Sequence, residues 1–139
     1  MKVFLDANVI VSVLNKEYPL FTYSARLLSL GDNNNFEVVT SPICLAIAYY
    51  FSEKKSGTQQ ANRKIEMLIR KIGITSVDAE VAEKAIKNKS IHDFEDGMQY
   101  YSAESAGCDC IVTEDIGDYY FSNLEVLQTR PFMERYVFQ

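Results

Sequence analysis

The chain has a single histidine, His92, and three cysteines, Cys44, Cys108 and Cys110, with no CxxC spacing among them. An odd, scattered set of that kind makes neither a disulfide framework nor a zinc site. The expectation is three reduced, mostly buried thiols and, with them, a cytoplasmic location. No charged segment leads into an apolar stretch at the start, because Asp6 interrupts the first apolar run, and no later run is long enough to span a bilayer. Neither a signal peptide nor a membrane span is expected. Repeats, low-complexity tracts and linkers are also missing. What is left is 139 residues, 47% hydrophobic and 24% charged, which suits one globular domain over 1–139 with a sizeable core.

Charge is missing locally as well. Between Ser90 and Thr129 there is no Lys or Arg, yet there are nine acids. An uncompensated stretch of that kind is either solvating surface or a cation site. Six basic side chains (Lys54, Lys55, Arg63, Lys64, Arg70 and Lys71) gather in 54–71 against one acid, Glu66, so this stretch is +5 and the rest of a −5 chain is −10. It is either an ordinary exposed helical face or an anion-binding rim.

Apolar patterning alternates between two periods. Residues 3–5 read as a short buried strand and 9–14 as the start of a helix. Residues 20–30 are helical and end at Gly31, a C-cap. Residues 36–40 read as a second strand. Ser41 as N-cap and Pro42 at the first helical position predict a helix over 42–54. A further helix covers 58–72 and ends at Gly73. Residues 74–76 read as a brief strand or an extended link, and 78–87 and 93–106 as two helices, the second stopped by Gly107. Strands follow at 110–113 and 125–127. Strands alternating with helices imply βα units and a mostly parallel sheet.

Ligands in such sheets bind outside the carboxyl ends of the strands. Asp6 ends the first strand, and it either caps the following helix or belongs to a site. Asp115 and Asp118 follow the strand at 110–113, while Asp93, Glu95 and Asp96 open a helix. Asp93 can cap that helix and Asp96 can be its capping-box partner. Capping explains one helix start, but not acids at three separate places that a parallel sheet would bring together. Two like charges about 4 Å apart repel by roughly 4 kcal/mol at an effective dielectric near 20. Converging carboxylates are therefore costly unless a cation sits among them or one stays protonated. Oxygen ligands without His or Cys favour Mg²⁺ or Mn²⁺, which suits phosphodiester hydrolysis.

The stretches VFLDANVIVSVL, VVTSPICLAIAYYF and DFEDGMQYYSAESAGCDCIVTEDIGDYY, in that order and spacing, resemble a PIN domain over nearly the whole chain. The resemblance implies a three-layer α/β/α sandwich with a mostly parallel central sheet and an acidic pocket for Mg²⁺ or Mn²⁺. It also implies endoribonuclease activity on single-stranded RNA. For small bacterial and archaeal members it further implies the role of toxin beside an antitoxin protein, and homodimers. Residue by residue, Asp6 matches the first metal-binding acid, Asn8 the polar residue beside it and Asp96 the acid that opens the later helix. Thr113 and Asp115 match the Thr and acid after the fourth strand, and Asp118 is a second candidate for the last role. The Glu usual in the helix after strand two falls at or near Ile47, and the nearest Glu, Glu53, lies six residues on and faces elsewhere.

The leading expectation is thus a metal-dependent endoribonuclease using Asp6, Asp96, Asp115 and Asp118, with Asn8, Thr113, Lys54, Lys55, Arg63 and Lys64 toward substrate. A second is a PIN fold with weak or lost catalysis that binds RNA or a protein partner, favoured by Ile47. A phosphatase with an Asp nucleophile would want an acid where Asn8 stands.

Overall fold

The computed structural model, which describes residues 1–138, runs in chain order β1 (Lys2–Leu5), α1 (Ala7–Leu14), α2 (Phe21–Ser29), β2 (Glu37–Thr40), α3 (Pro42–Ser56), α4 (Thr58–Lys71), β3 (Gly73–Ile74), α5 (Ala79–Lys87), α6 (Phe94–Ser105), β4 (Cys110–Val112), β5 (Glu125–Leu127) and α7 (Thr129–Tyr136). The five strands make one parallel sheet in the order β3-β2-β1-β4-β5. The central strands are apolar without interruption because helices cover both faces. Val3, Phe4 and Leu5 of β1 and Cys110, Ile111 and Val112 of β4 are all fully buried.

The layers follow from chain direction. From β1 the chain steps outward to β2 and β3, then crosses back over β1 to β4. Right-handed crossovers taken in opposite directions lie on opposite faces of a sheet. Accordingly α1 packs on α2 and α3, and α3 on α4, while α5 and α6 pair with each other in the other layer. α7 returns to pack on α2, with Phe132 and Met133 fully buried. The result is the expected three-layer α/β/α sandwich.

Caps set the helix starts. Ser41 Oγ accepts from the Cys44 amide at 3.1 Å with Pro42 beside it, and Asp78 accepts from the Val81 amide at 3.0 Å. At the end of α6, Gly107 (φ +76°) donates to Glu104 O and Cys108 to Ala103 O, a Schellman pair that needs a residue free to adopt positive φ.

Several expectations are corrected. Gly31 is not a C-cap. α2 ends at Ser29, and Gly31 sits inside a 3₁₀ turn, Leu30–Asp32, where a Cβ would come 2.9 Å from the Lys71 carbonyl oxygen. Its role is close approach, not backbone freedom. α4 stops at Lys71, and Gly73 opens β3 instead of breaking a helix, so β3 starts one residue ahead of the expected 74–76 and shares only Ile74 with it. α7 was not expected at all, since its short run, with Pro131 at the third residue, offers little periodicity. Among the described residues no helix is long and apolar enough to cross a membrane, and the three cysteines are buried and unpaired.

Candidate active site

β1 and β4 are neighbours in the sheet, and beyond their carboxyl ends the chain leaves in opposite directions. A crevice at such a switch point is where open parallel sheets bind ligands. An open cavity of about 370 Å³ lies here, and Asp6, Asn8, Asp96, Asp115 and Asp118 all line it. Three separate segments deliver them: the end of β1, the first turn of α6, and the turn after β4.

Asp6 both caps α1 and faces the cavity. Its Oδ1 accepts from the Ala7 amide at 2.8 Å and from Cys44 Sγ at 3.7 Å, while Oδ2 accepts from Thr113 Oγ1 at 2.8 Å. Burial raises its pKa above the ordinary carboxylate value, against the opposing pull of the Thr113 and Ala7 hydrogen bonds. The Tyr119 hydroxyl is buried close by, outside hydrogen-bond geometry, and burial followed by the Asp6 charge keeps that phenol protonated. Cys44 is likewise held as a thiol, its pKa pushed up to about 12 by burial and then by Asp6.

Asn8 ties the two strand ends together. Its Nδ2 donates to Thr113 Oγ1 at 3.1 Å and to Asp115 Oδ2 at 3.2 Å, and its Oδ1 accepts from the Glu114 amide at 3.1 Å. Thr113 Oγ1 also accepts from the Asp115 amide at 3.1 Å. The Asp6, Asn8, Thr113 and Asp115 side chains form one network whose charges are two carboxylates. Asp96 stands on the opposite side, in the first turn of α6, its amide held by the cap Asp93 at 3.1 Å. Burial, then the carboxylates of Asp93, Asp118, Asp6 and Glu95, raise its pKa to about 7. Both candidates for the last acid are therefore at the cavity: Asp115 joined to Asn8, Asp118 within electrostatic reach of Asp96.

No Lys or Arg lines this cavity. Among the described residues no three acidic, His or Cys side chains are gathered into a ready metal centre. The donor chemistry nevertheless fits a hard divalent cation. Only oxygens are offered, and the repulsion that lifts Asp96 is of the kind a cation relieves. Asp6 and Asp96, with Asp115 or Asp118, are the residues that would hold it.

Ile47 lines the cavity and is half-buried, as expected for a side chain at the pocket edge. Glu53 is turned away, where its carboxylate accepts from Thr58 Oγ1 at 3.0 Å and Tyr49 at 3.3 Å. Four cavity residues escaped the sequence reading: Ala7 and Val11 from α1, Glu17 from the loop after it and Phe51 from α3. Phe51 was legible in principle, since it continues the face of Cys44 and Ile47 one turn on. Glu17 carries no local signal. The basic residues do not reach the cavity. Lys64 Nζ donates to Leu14 O at 2.8 Å and Lys55 Nζ to Asn15 O at 2.5 Å, both at the carbonyl end of α1. Lys54 and Arg63 are exposed.

A family model for the PIN domain matches residues 2–117. Ribonuclease VapC1 of Aquifex aeolicus is 31% identical over 139 residues, covering 97% of this chain and 95% of that protein. Among solved structures, VapBC-1 from nontypeable Haemophilus influenzae is similar with a TM-score of 0.70 at 18% identity, over 94% of this chain and 99% of that one. VapC20 from Mycobacterium tuberculosis, a sarcin-ricin loop cleaving toxin, is similar with a TM-score of 0.65 at 15% identity, over 85% and 95%. The two structural likenesses bear on the fold.

Proposed function

The chain belongs to the PIN-domain family, and from that premise we propose that it is a divalent-metal-dependent endoribonuclease acting on single-stranded RNA, and the toxin of a toxin–antitoxin pair. The observation that carries this reading is the meeting of acids from three separate segments in one cavity that has no basic lining residue. Held by Asp6 and Asp96 with Asp115 or Asp118, Mg²⁺ or Mn²⁺ would supply charge screening among the acids and polarisation of a phosphoryl oxygen. The chain's own groups do the orienting. Thr113 fixes Asp6 by donating to Oδ2, and with Ala7 and Cys44 on Oδ1 this leaves one acceptor position, on Oδ2, for a cation. Asn8 holds Asp115 in place and, as an amide, adds no further negative charge. Asp96, whose pKa is raised by burial and then by the acids around it, is the carboxylate whose ionised form a bound cation would stabilise most. A cytoplasmic location and an antitoxin partner go with this reading. The buried, unpaired thiols accord with the first, and the resemblance to small PIN-domain toxins implies the second.

A second reading, a PIN fold that binds RNA or a partner with little catalysis, is favoured by one observation: Ile47 stands at the cavity where the family has an acid. One experiment covers both. Purified protein with Mn²⁺ should cut single-stranded RNA. Cleavage should stop with EDTA and fall to background in Asp6→Asn and Asp96→Asn. Mn²⁺ at a hundredfold excess over its dissociation constant should stabilise the fold by about 2.7 kcal/mol, and those variants should lose the gain. An unmoved melting temperature and no cleavage would sink the nuclease reading. Under the second reading Mn²⁺ and RNA bind without product, and Ile47→Glu, tolerated at a half-buried edge, tightens Mn²⁺ binding.

A further inference from the structure

The cavity has two unlike walls. Acids make one. The other is Val11 from α1 with Ile47 and Phe51 from α3. Cys44, Ile47 and Phe51 stand at i, i+3 and i+7 and share one helical face. That stripe starts at the chemistry, with Cys44 Sγ 3.7 Å from Asp6 Oδ1, and runs outward for about 10 Å. Exposure rises along it from 0% at Cys44 to 44% at Phe51. Tyr50, itself 57% exposed, braces the Phe51 ring at a centroid distance of 5.3 Å without covering it. Core packing does not account for a large aromatic ring left open at the mouth of a charged cavity.

This wall does not suit a phosphate. No basic side chain lines it, and Glu17, which lines the same cavity, is exposed with no ion pair among the described residues. It suits a nucleobase, which has flat apolar faces and N–H donors along its edge. Unpaired bases of RNA are free to stack on aromatic side chains. We propose that Val11, Ile47 and Phe51 form the nucleobase subsite of the RNA site, with the base stacked on Phe51 and its edge donors accepted by Glu17. The proposal rests on the nuclease reading of the same cavity. A carboxylate accepts two side-by-side N–H groups at once. Guanine presents such a pair on its pairing edge, so guanine is the expected occupant. Ile47 then acts as part of the platform, where an acid would put charge beneath the base.

The test is cleavage of a random-sequence single-stranded RNA pool in Mn²⁺, with the new ends sequenced. Guanine should be enriched at one position a fixed distance from the cut. Phe51→Ala should raise KM for a guanine-containing oligonucleotide about tenfold with a smaller effect on kcat, and Phe51→Trp should restore it. Glu17→Gln should flatten the guanine enrichment. Cleavage with no base preference, or a Phe51→Ala KM within about twofold of the unaltered protein, overturns the subsite and leaves the nuclease reading standing. Binding of the oligonucleotide without cleavage, read by fluorescence anisotropy, removes the nuclease reading alone, and the same tenfold expectation for Phe51→Ala is then applied to Kd. Neither binding nor cleavage removes both.

Discussion

Asp96 is a carboxylate that the metal-free fold favours in its neutral form. Its folded pKa, about 7, lies above the unstrained 3.8 because of burial and then the acids around it. The sign follows from proton linkage. Between those two values the folded chain binds more protons at this site than the unfolded chain, so stability falls as pH rises through the window and levels off above it. Asp6, also raised, adds in the same direction. Asp96→Asn removes the charged form. In EDTA at about pH 8 the variant should melt higher than the unaltered protein, by roughly 4 °C for each 1 kcal/mol relieved. The gap should nearly close by about pH 4. Thermal melts across that range check it, and a variant that is less stable at every pH would show that Asp96 is not under the strain inferred.

Among the elements, the join of α2, its 3₁₀ turn and α4 shows how one glycine can serve either of two needs. A Gly after a helical run usually marks a left-handed cap, where Asn is an accepted substitute. Gly31 instead admits the Lys71 carbonyl to within 2.9 Å of where a Cβ would be. Gly31→Asn separates the two cases. It would be almost harmless in a cap. Here it must push α4 and the turn apart, with an expected loss of about 2 kcal/mol in a urea melt. α6 is the contrasting case. Its Gly107 does have positive φ and does complete the cap, and the helix it ends carries Asp96 at the other end.

Over the whole molecule the charge of −5 is an average of two regions that the fold keeps apart. Six of the nineteen acids line one cavity, and the basic stretch lies on α3 and α4 outside it. The basic side chains divide by task. Lys55 and Lys64 serve the carbonyl end of α1, and Arg70 and Lys71 pair with Glu66 and Asp32. Lys54 and Arg63 remain exposed for a polyanion. Lys54→Gln with Arg63→Gln should lower the salt slope of single-stranded RNA binding by roughly 1.4 without affecting the melting temperature. Lys55→Gln with Lys64→Gln should lower the melting temperature. Equal salt slopes in the first pair and the unaltered protein would make that face only a solvated surface.

The amino-acid sequence by itself determined the alternation of strand and helix, because apolar period and caps are local properties. Residues 3–5, Pro42 after Ser41 and Gly107 each announce their element without help from the rest of the chain. It also placed acids at three strand ends or helix starts of a parallel sheet, and the resemblance to PIN domains singled out Asp6, Asp96, Asp115 and Asp118 among them. Only the tertiary structure decided what meets what. Asp6 and Thr113 are 107 residues apart in the chain and 2.8 Å apart in space, a pairing set by β1 lying beside β4 and by nothing local to either. The same holds for Glu17, an unremarkable loop acid until α1 and α3 pack and bring it to the rim. Gly31 was misread because the atom that requires its missing Cβ belongs to a helix 40 residues away. Long-range contact is a property of the packed layers, and short-range patterning carries no trace of it.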